Sequence, residues 1–242
     1  MNIVMPMAGR GSRFAERGVT TPKPLIPVRG KPMYAWATDG LPLASAKRLI
    51  FVCLREHLVG SGLESDIRTR YADYSPVVIP LDEVTQGQAC TVLKTREWID
   101  SDEPLLIFNA DTYCPTTIAA ALDAWGSRVE GALDVFEAAG DKWSFARLDG
   151  ADRVVETAEK RRISEWASTG LYYFRRGRDF VRHTLAMIEA NERSNNEFYV
   201  APVYNRLIAA GADVRANKIE RVWVLGTPED LDHFERNYPP SP

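Results

Sequence analysis

No run of apolar residues in this chain of 242 residues is long enough to span a bilayer, and the amino terminus leads straight into NIVMPMAG without a basic region, an apolar leader or a small-residue cleavage site. A cytoplasmic protein that does not engage membranes is expected. Cysteine is scarce. Cys53, Cys90 and Cys114 are odd in number and have no paired spacing, which argues against a disulfide framework or a zinc site and leaves three ordinary core thiols in a reducing compartment. Positive charge is not in excess either: 30 Lys and Arg face 33 Asp and Glu, a formal net charge of −3. That balance argues against nucleic acid as a partner, because such binding relies on broad basic surfaces. Internal repeats, low-complexity tracts and convincing linkers are also lacking, so one domain over residues 1–242 is expected, with disorder confined to the final NYPPSP and a flexible tail at 239–242.

What the chain does contain is positive charge gathered in one place. Between Ala8 and Lys31 stand six basic residues, Arg10, Arg13, Arg17, Lys23, Arg29 and Lys31, against the single acid Glu16. An anionic ligand is expected there. The surrounding pattern is of short branched apolar runs, NIVMPM, KRLIFVCL, PVVIPL and PLLIFNAD, alternating with helically spaced stretches such as MYAWATDGLPL and QACTVLKTREWI. That alternation predicts an α/β fold, a Rossmann-like, mostly parallel central sheet flanked by helices. Ligands bind such sheets at the carboxyl ends of the strands, where Gly9 to Lys23 and Asp111 would both emerge. After Gly126 the pattern shifts to successive strands, GALDVFEA, KWSFARLD, DRVVETAE and ASTGLYYF, followed by helices in DFVRHTLAMIEANE and APVYNRLIAAG. Residues 1–126 are then expected to carry the anion site and 127–238 the lid or acceptor side of a pocket.

Gly9 and Gly11 follow the first strand, so backbone amides could approach a phosphate closely; a plain turn with exposed arginines would show the same two glycines. The loop is not the dinucleotide fingerprint, because Phe14 holds the third glycine position and Arg29 and Lys31 stand where an acid is expected. No Gly-Lys-Ser/Thr of a Walker loop follows. Lys23 lies between Pro22 and Pro24, which hold it on a stiff, extended segment. A fixed ammonium of this kind suits a phosphoryl group under attack.

MAGRGSRF together with PKPLIPV resembles the signature of the sugar-1-phosphate nucleotidyltransferases, the nucleoside-diphosphate-sugar pyrophosphorylases. The likeness continues through TQGQACTVL, FNADTY, VVETAEKRRISEWASTGLYYF, NNEFYVAPVYN and VWVLGTPEDL, and is strongest to a bacterial branch associated with capsule and surface-polysaccharide gene sets. The resemblance implies a nucleotidyltransferase fold of the GT-A-like type. It implies that Ala8, Gly9 and Gly11 contact the nucleotide through backbone, that Arg13 binds the β- and γ-phosphates, Lys23 the α-phosphate, and Gly87 with Gln88 the base. Asp111 would hold Mg2+, which favours a carboxylate plus phosphate oxygens. Glu159 and Lys160 would bind an acceptor hydroxyl and the acceptor phosphate, and Thr169, Gly170 and Glu197 would complete the acceptor pocket. Each segment has a plainer reading: a helix start at Gly87, a helix cap at Asp111 or Asn196, a solvated strand at Glu159 and Lys160.

Two departures stand out against that pattern. Val224 occupies the position of a second metal-binding aspartate, two residues before Gly226-Thr227, and Ala146 replaces a glycine near the sugar. The implied reaction joins a nucleoside triphosphate to a phosphorylated acceptor, most naturally a sugar 1-phosphate, and releases pyrophosphate. The alternatives are cytidylyltransferase-type transfer to a non-sugar phosphate, a glycosyltransferase with Asn109-Ala110-Asp111 in place of Asp-x-Asp, and a non-catalytic nucleotide-binding protein. A homodimer is the default expectation for a soluble enzyme.

Overall fold

The computed structural model describes residues 1–239. Along the chain run β1 (Asn2–Met7), α1 (Ser12–Ala15), β2 (Pro27–Val28), β3 (Lys31–Pro32), α2 (Met33–Asp39), β4 (Arg48–Leu54), α3 (Arg55–Leu58), α4 (Leu63–Arg70), β5 (Val77–Leu81), α5 (Gln88–Leu93), α6 (Arg96–Ile99), β6 (Leu105–Phe108) and β7 (Thr112–Tyr113). The second half contributes α7 (Ile118–Trp125), β8 (Gly131–Glu137), β9 (Ser144–Leu148), β10 (Val154–Glu159), β11 (Trp166–Phe174), α8 (Gly177–Glu189), α9 (Val203–Ala209), β12 (Val214–Lys218), β13 (Trp223–Val224) and α10 (Pro228–Asn237).

Nine strands form one sheet in the order β10-β9-β11-β6-β1-β4-β5, with β8 joined to β11 and β12 joined to β8. Strands β6, β1, β4 and β5 are mutually parallel, and β11 runs antiparallel to β6 and β8. The sheet is therefore mixed, with its parallel part where the repeated branched runs predicted it. Period-two burial divides the core. Val4, Ile50, Val52, Leu105 and Ile107 face α8 and α9, while Ile3, Met5, Leu49, Phe51, Leu106 and Phe108 face the opposite layer with Tyr34, Ile67 and Ile118. Both sets are fully buried, as expected of a sheet covered on both faces.

The boundaries differ from the expected ones in several places. QACTVLKTREWI breaks into α5 and α6, because buried Thr95 leaves helical geometry and its hydroxyl donates to the Val92 carbonyl at 2.7 Å. Pro202 and Gly211 flank α9 as expected, Gly211 with φ +88°. Cys53 and Cys114 are buried, whereas Cys90 is half-exposed. The expected tail at 239–242 lies outside the described residues beyond Pro239, but Tyr238 is firmly packed: its ring stacks on Phe234, with centroids 4.5 Å apart. Tyr238, Phe234, Trp36, Tyr113 and Trp223 form an aromatic box that joins α10 to α2 and β7.

Candidate active site

The carboxyl ends of β1 and β6 open into one cleft. Its first compartment, of 280 Å³, is lined by Gly9, Lys23, Gln88, Asn109 and Asp111 on one side and by Ser144, Glu159, Tyr172, Glu197 and Tyr199 on the other. A neighbouring compartment of 400 Å³ shares Pro6, Gly9, Gln88 and Glu197 with it and adds Ala8, Thr85, Gly87 and Thr91.

Lys23 is the pivot of the first compartment. Its ammonium lies 2.6 Å from Asp111 Oδ2, with both side chains two-thirds or more covered. Contrary to the extended segment expected, Lys23 opens a 3-10 turn, because Leu25 N–H donates to Pro22 O at 2.8 Å and Ile26 N–H to Lys23 O at 3.2 Å. The lysine is fixed all the same. Gly11 adopts φ +67°, and a Cβ there would fall 2.8 Å from Lys23 Cβ, so the glycine is needed both for its backbone angle and for the lysine packed against it. Arg13 is exposed on α1, outside the cavity lining, and forms no ion pair among the described residues.

Asp111 does not cap α7. Thr116 Oγ1 accepts from Ile118 N–H at 3.0 Å, and the Asp111 carbonyl accepts from Leu225 N–H at 2.8 Å, where β13 pairs with β7. Val224 lies in that pair. Around the open Cα of Gly226, at the position a Cβ would take, Asp111 Oδ2 is 3.4 Å away, Asp230 Oδ2 3.7 Å and Val224 Cγ1 3.8 Å. Asp230, in the first turn of α10, is thus the carboxylate that faces Asp111 across Gly226. No set of three or more metal-ligating side chains occurs among the described residues.

Gly87 caps α5 with φ +130°, and a Cβ would lie 2.5 Å from both Phe198 N and Phe198 O. Phe198 N–H donates to Gln86 O and Ala89 N–H to Phe198 O, each at 2.9 Å, so TQGQAC and NNEFYV are clamped backbone to backbone. Gln88 Nε2 donates to Asn109 Oδ1. Asn109 in turn occupies the space Gly170 leaves, where a Cβ would be 2.2 Å from Asn109 Nδ2. Gly170, with φ +90°, sits in the irregularity between Ser168 and Tyr172 where β11 passes from β9 to β6. Thr169 and Gly170 therefore lie one layer behind the cavity rather than in its lining. Asn195 and Asn196, both at positive φ, form the turn closed by the reciprocal Ser194–Glu197 backbone bonds at 3.0 Å, so Asn196 is a turn residue and caps no helix.

At the far end Ser144 Oγ donates to Glu159 Oε2, and Tyr172 OH donates to Ser144 Oγ at 3.4 Å. Burial, followed by repulsion from Glu197, pushes the Glu159 carboxyl upward against the Ser144 bond and Lys160. Lys160, at φ +49° on the rim, donates to Tyr199 OH at 2.8 Å, and this bond raises its own pKa. Ala146 was expected near the acceptor, but it is fully buried in the core; it shares a strand face with Ser144, two residues earlier, and it is Ser144 that lies at the cleft end of that face. Ser144, Asn109, Tyr172 and Tyr199 were missed as lining residues. Tyr199 lies two positions from Glu197 on a short extended segment and could have been found on that ground.

The chain matches the nucleotidyl transferase family over residues 2–238. It is 30% identical to the bifunctional protein GlmU of Paraburkholderia phymatum, over 98% of this chain and 51% of that protein, and 25% identical to the UTP–glucose-1-phosphate uridylyltransferase AglF of Haloferax volcanii, over 98% and 96%. It spans about half the length of the GlmU proteins it matches. A solved nucleoside-diphosphate-sugar pyrophosphorylase of Vibrio cholerae superposes with a TM-score of 0.82 at 29% identity, covering 97% of this chain and all of that one. The inositol-1-phosphate CTP transferase of T. maritima, at 14% identity and a TM-score of 0.74, shares the fold. With likeness running from the first strand to the last helix, the chain belongs to the nucleotidyl transferase family.

Proposed function

We propose that this enzyme joins a nucleoside triphosphate to a sugar 1-phosphate, giving a nucleoside diphosphate sugar and pyrophosphate. The observation that carries the reading is the meeting of Lys23, Asp111 and the Gly9–Gly11 loop in the same cleft as Glu159 and Glu197. The acceptor phosphate is already ionised near neutral pH, so no general base is required. A phosphate oxygen attacks the α-phosphorus in line as the bond to pyrophosphate breaks, and the protein's task is alignment and neutralisation of charge. Lys23 holds the α-phosphate, Arg13 swings over the β- and γ-phosphates, and the amides of Ala8 to Gly11 line the nucleotide's path. Gly87 and Gln88 border the second compartment, which we assign to the base. Glu159 receives an acceptor hydroxyl and Lys160 the acceptor phosphate, while Thr169 and Gly170 act only through the placement of Asn109.

The donor set suits Mg2+: Asp111 already holds a cation in the form of the Lys23 ammonium, and Asp230 faces it where Val224 offers no oxygen. When bound, Mg2+ would supply charge neutralisation at the phosphate oxygens. Asn109 is occupied by Gln88 and backed by Gly170, an amide role unlike that of the first acid of an Asp-x-Asp motif. A setting in surface-polysaccharide synthesis rests on the sequence resemblance alone. No helix among the described residues is long and apolar enough to cross a membrane.

The test is pyrophosphate release with each common nucleoside triphosphate, MgCl2 and a panel of sugar 1-phosphates and non-sugar phosphates. Turnover with a sugar 1-phosphate supports the reading. Turnover only with a non-sugar phosphate transfers it to that acceptor class, and silence across the panel from folded protein refutes it.

A further inference from the structure

Glu159 and Ser144 are direct partners in the antiparallel ladder between β10 and β9. Side chains of directly opposed residues leave the same face of a sheet a few ångströms apart, so this pairing is set by the register and not by chance rotamers. The Ser144 hydroxyl donates to Glu159 Oε2, while Tyr172, 3% exposed, donates to the same hydroxyl from behind at 3.4 Å. The serine thus accepts from the interior and donates to the cleft. Lys160, the first residue after β10, does not take over this role, because its ammonium is directed to the Tyr199 hydroxyl 2.8 Å away. All three partners, Ser144, Glu159 and Tyr172, line the same cavity.

We propose that Ser144 is a positioning residue for acceptor recognition: its hydroxyl holds the Glu159 carboxylate in one orientation, with Oε2 occupied by the protein and Oε1 left for a hydroxyl of the phosphorylated acceptor. The inference rests on the assignment of this end of the cleft to the acceptor. A free glutamate would have to give up rotamer freedom on each binding event, whereas a held one has already done so. The relay Tyr172–Ser144–Glu159 also fixes which atoms donate, so an acceptor is selected for a hydroxyl donor at this point and against an acceptor-only group. The titratable groups facing Glu159 are Lys160 just beyond the end of its strand, Tyr172 on β11, and Glu197 and Tyr199 on the segment before α9. Of these, Lys160 lowers the Glu159 pKa and Glu197 raises it, and the Ser144 bond is the larger lowering influence.

The test begins without substrate. Protein carrying 13C in its glutamate carboxyl carbons is titrated by NMR, with Glu159→Gln identifying the Glu159 resonance. In Ser144→Ala the Glu159 midpoint moves to higher pH, and in Ser144→Thr, which retains the hydroxyl, it returns toward the parent value. Steady-state assays follow: in Ser144→Ala the acceptor KM rises roughly tenfold, from the loss of a hydrogen bond to a charged group. The acid limb of kcat/KM for the acceptor shifts upward, and the KM for the triphosphate is unchanged. A Glu159 midpoint that does not move in folded Ser144→Ala overturns the proposal, as does a moved midpoint with an unchanged acceptor KM. A moved midpoint in Ser144→Ala, together with a parent enzyme that releases no pyrophosphate with any acceptor, leaves Ser144 as the residue that holds Glu159 and removes the transfer reaction assigned to the cleft.

Discussion

Asp134 on β8 is completely buried, and among the described residues the partners of its carboxylate are neutral: Asn217 Nδ2 donates to Oδ1 at 2.8 Å and the Thr116 hydroxyl donates to Oδ2. Its charged form has no counter-ion there, and the nearby Cys114 thiol and Tyr204 phenol are themselves pushed up by burial and stay neutral. Burial lifts the Asp134 carboxyl from its ordinary 3.8 to about 7, even with both hydrogen bonds pulling it down. In the unfolded chain it returns to its ordinary value, so the folded state binds this proton more tightly. The stability it lends is therefore complete below about pH 4, is lost progressively as pH rises toward 7, and is gone above that. At about 1.4 kcal/mol per pH unit the whole interval is worth on the order of 4 kcal/mol. Asp134→Asn preserves the shape without the charge. In urea unfolding followed by tryptophan fluorescence, its stability relative to the parent should be level near pH 4, rise through pH 5 and 6, and settle above pH 7.5. The gain at the plateau should be a few kcal/mol, less about 1 for imperfect amide geometry. A difference that stays constant from pH 4 to 9, or one that turns against the Asn variant as pH rises, would refute the reasoning. The outcome matters to the site because Thr116 and Thr117, tied through this carboxylate and Asn217 to β12, end the loop that begins at Asp111.

Lys23→Met should reduce kcat/KM by ~10²–10³, the usual cost of losing a stabiliser of transition-state charge. It should also tighten Mn2+ binding to the free protein, measured by EPR, because the ammonium no longer competes for Asp111; equal Mn2+ affinity in both proteins would sink that idea. Asp230→Asn should weaken Mn2+ binding in the presence of a triphosphate, and an unchanged titration would leave Asp111 as the sole carboxylate of the site. Gly87→Ala forces a methyl against the Phe198 backbone at a positive φ, and a loss of about 1–3 kcal/mol in thermal unfolding is expected, with the triphosphate KM rising as the two clamped segments part. A fully stable Ala variant would mean that the clamp yields freely.

Much of this was legible because local chemistry and tertiary structure agree. The branched runs that became β1, β4 and β6 are buried on both faces, and a strand of that kind has to read as continuous hydrophobicity, whereas β5 at the end of the strand order is only half-buried and keeps Pro80 exposed. Strand β12, VRANK, was missed because Arg215 and Lys218 interrupt the apolar pattern; it pairs with β8 through backbone, and Ala216 and Asn217 are small or polar where they are buried. Helices α3 and α4 were missed for a similar reason, since only Leu63 and Ile67 of α4 face the core at a spacing of four. The glycine loop of the cleft could be read from Gly9, Gly11 and Lys23, whose placement depends on backbone freedom and rigidity. Ser144 could not. Which residue of WSFAR faces the cleft depends on strand register, and a shift of two positions, which keeps the same face, is enough to replace a lining hydroxyl with the core methyl of Ala146.

The partition at Gly126 also meets a limit of reading in chain order. Residues 223–238 come last, yet β13 pairs with β7 beside Asp111, and Phe234 of α10 packs with Phe14, Trp36 and Met33 beneath the loop that carries Lys23. Exposed pairs repeat the connection: Arg17 with Glu229, and Arg29 with Glu235. Exposed ion pairs contribute little individually, so the aromatic box is what holds α10 in place. Ile26, which closes the Lys23 turn, belongs to the same cluster, while Leu25 packs on the main core. The position of an ammonium near the start of the chain is thereby set by rings near its end, and Asp230 is brought to Asp111 by the same docking. A chain that ended before Pro228 would keep the Gly9–Gly11 loop, Lys23 and Asp111 but lose the Phe234 packing and the Asp230 carboxylate, which makes the last helix part of the cleft in physical terms, however far it lies along the sequence.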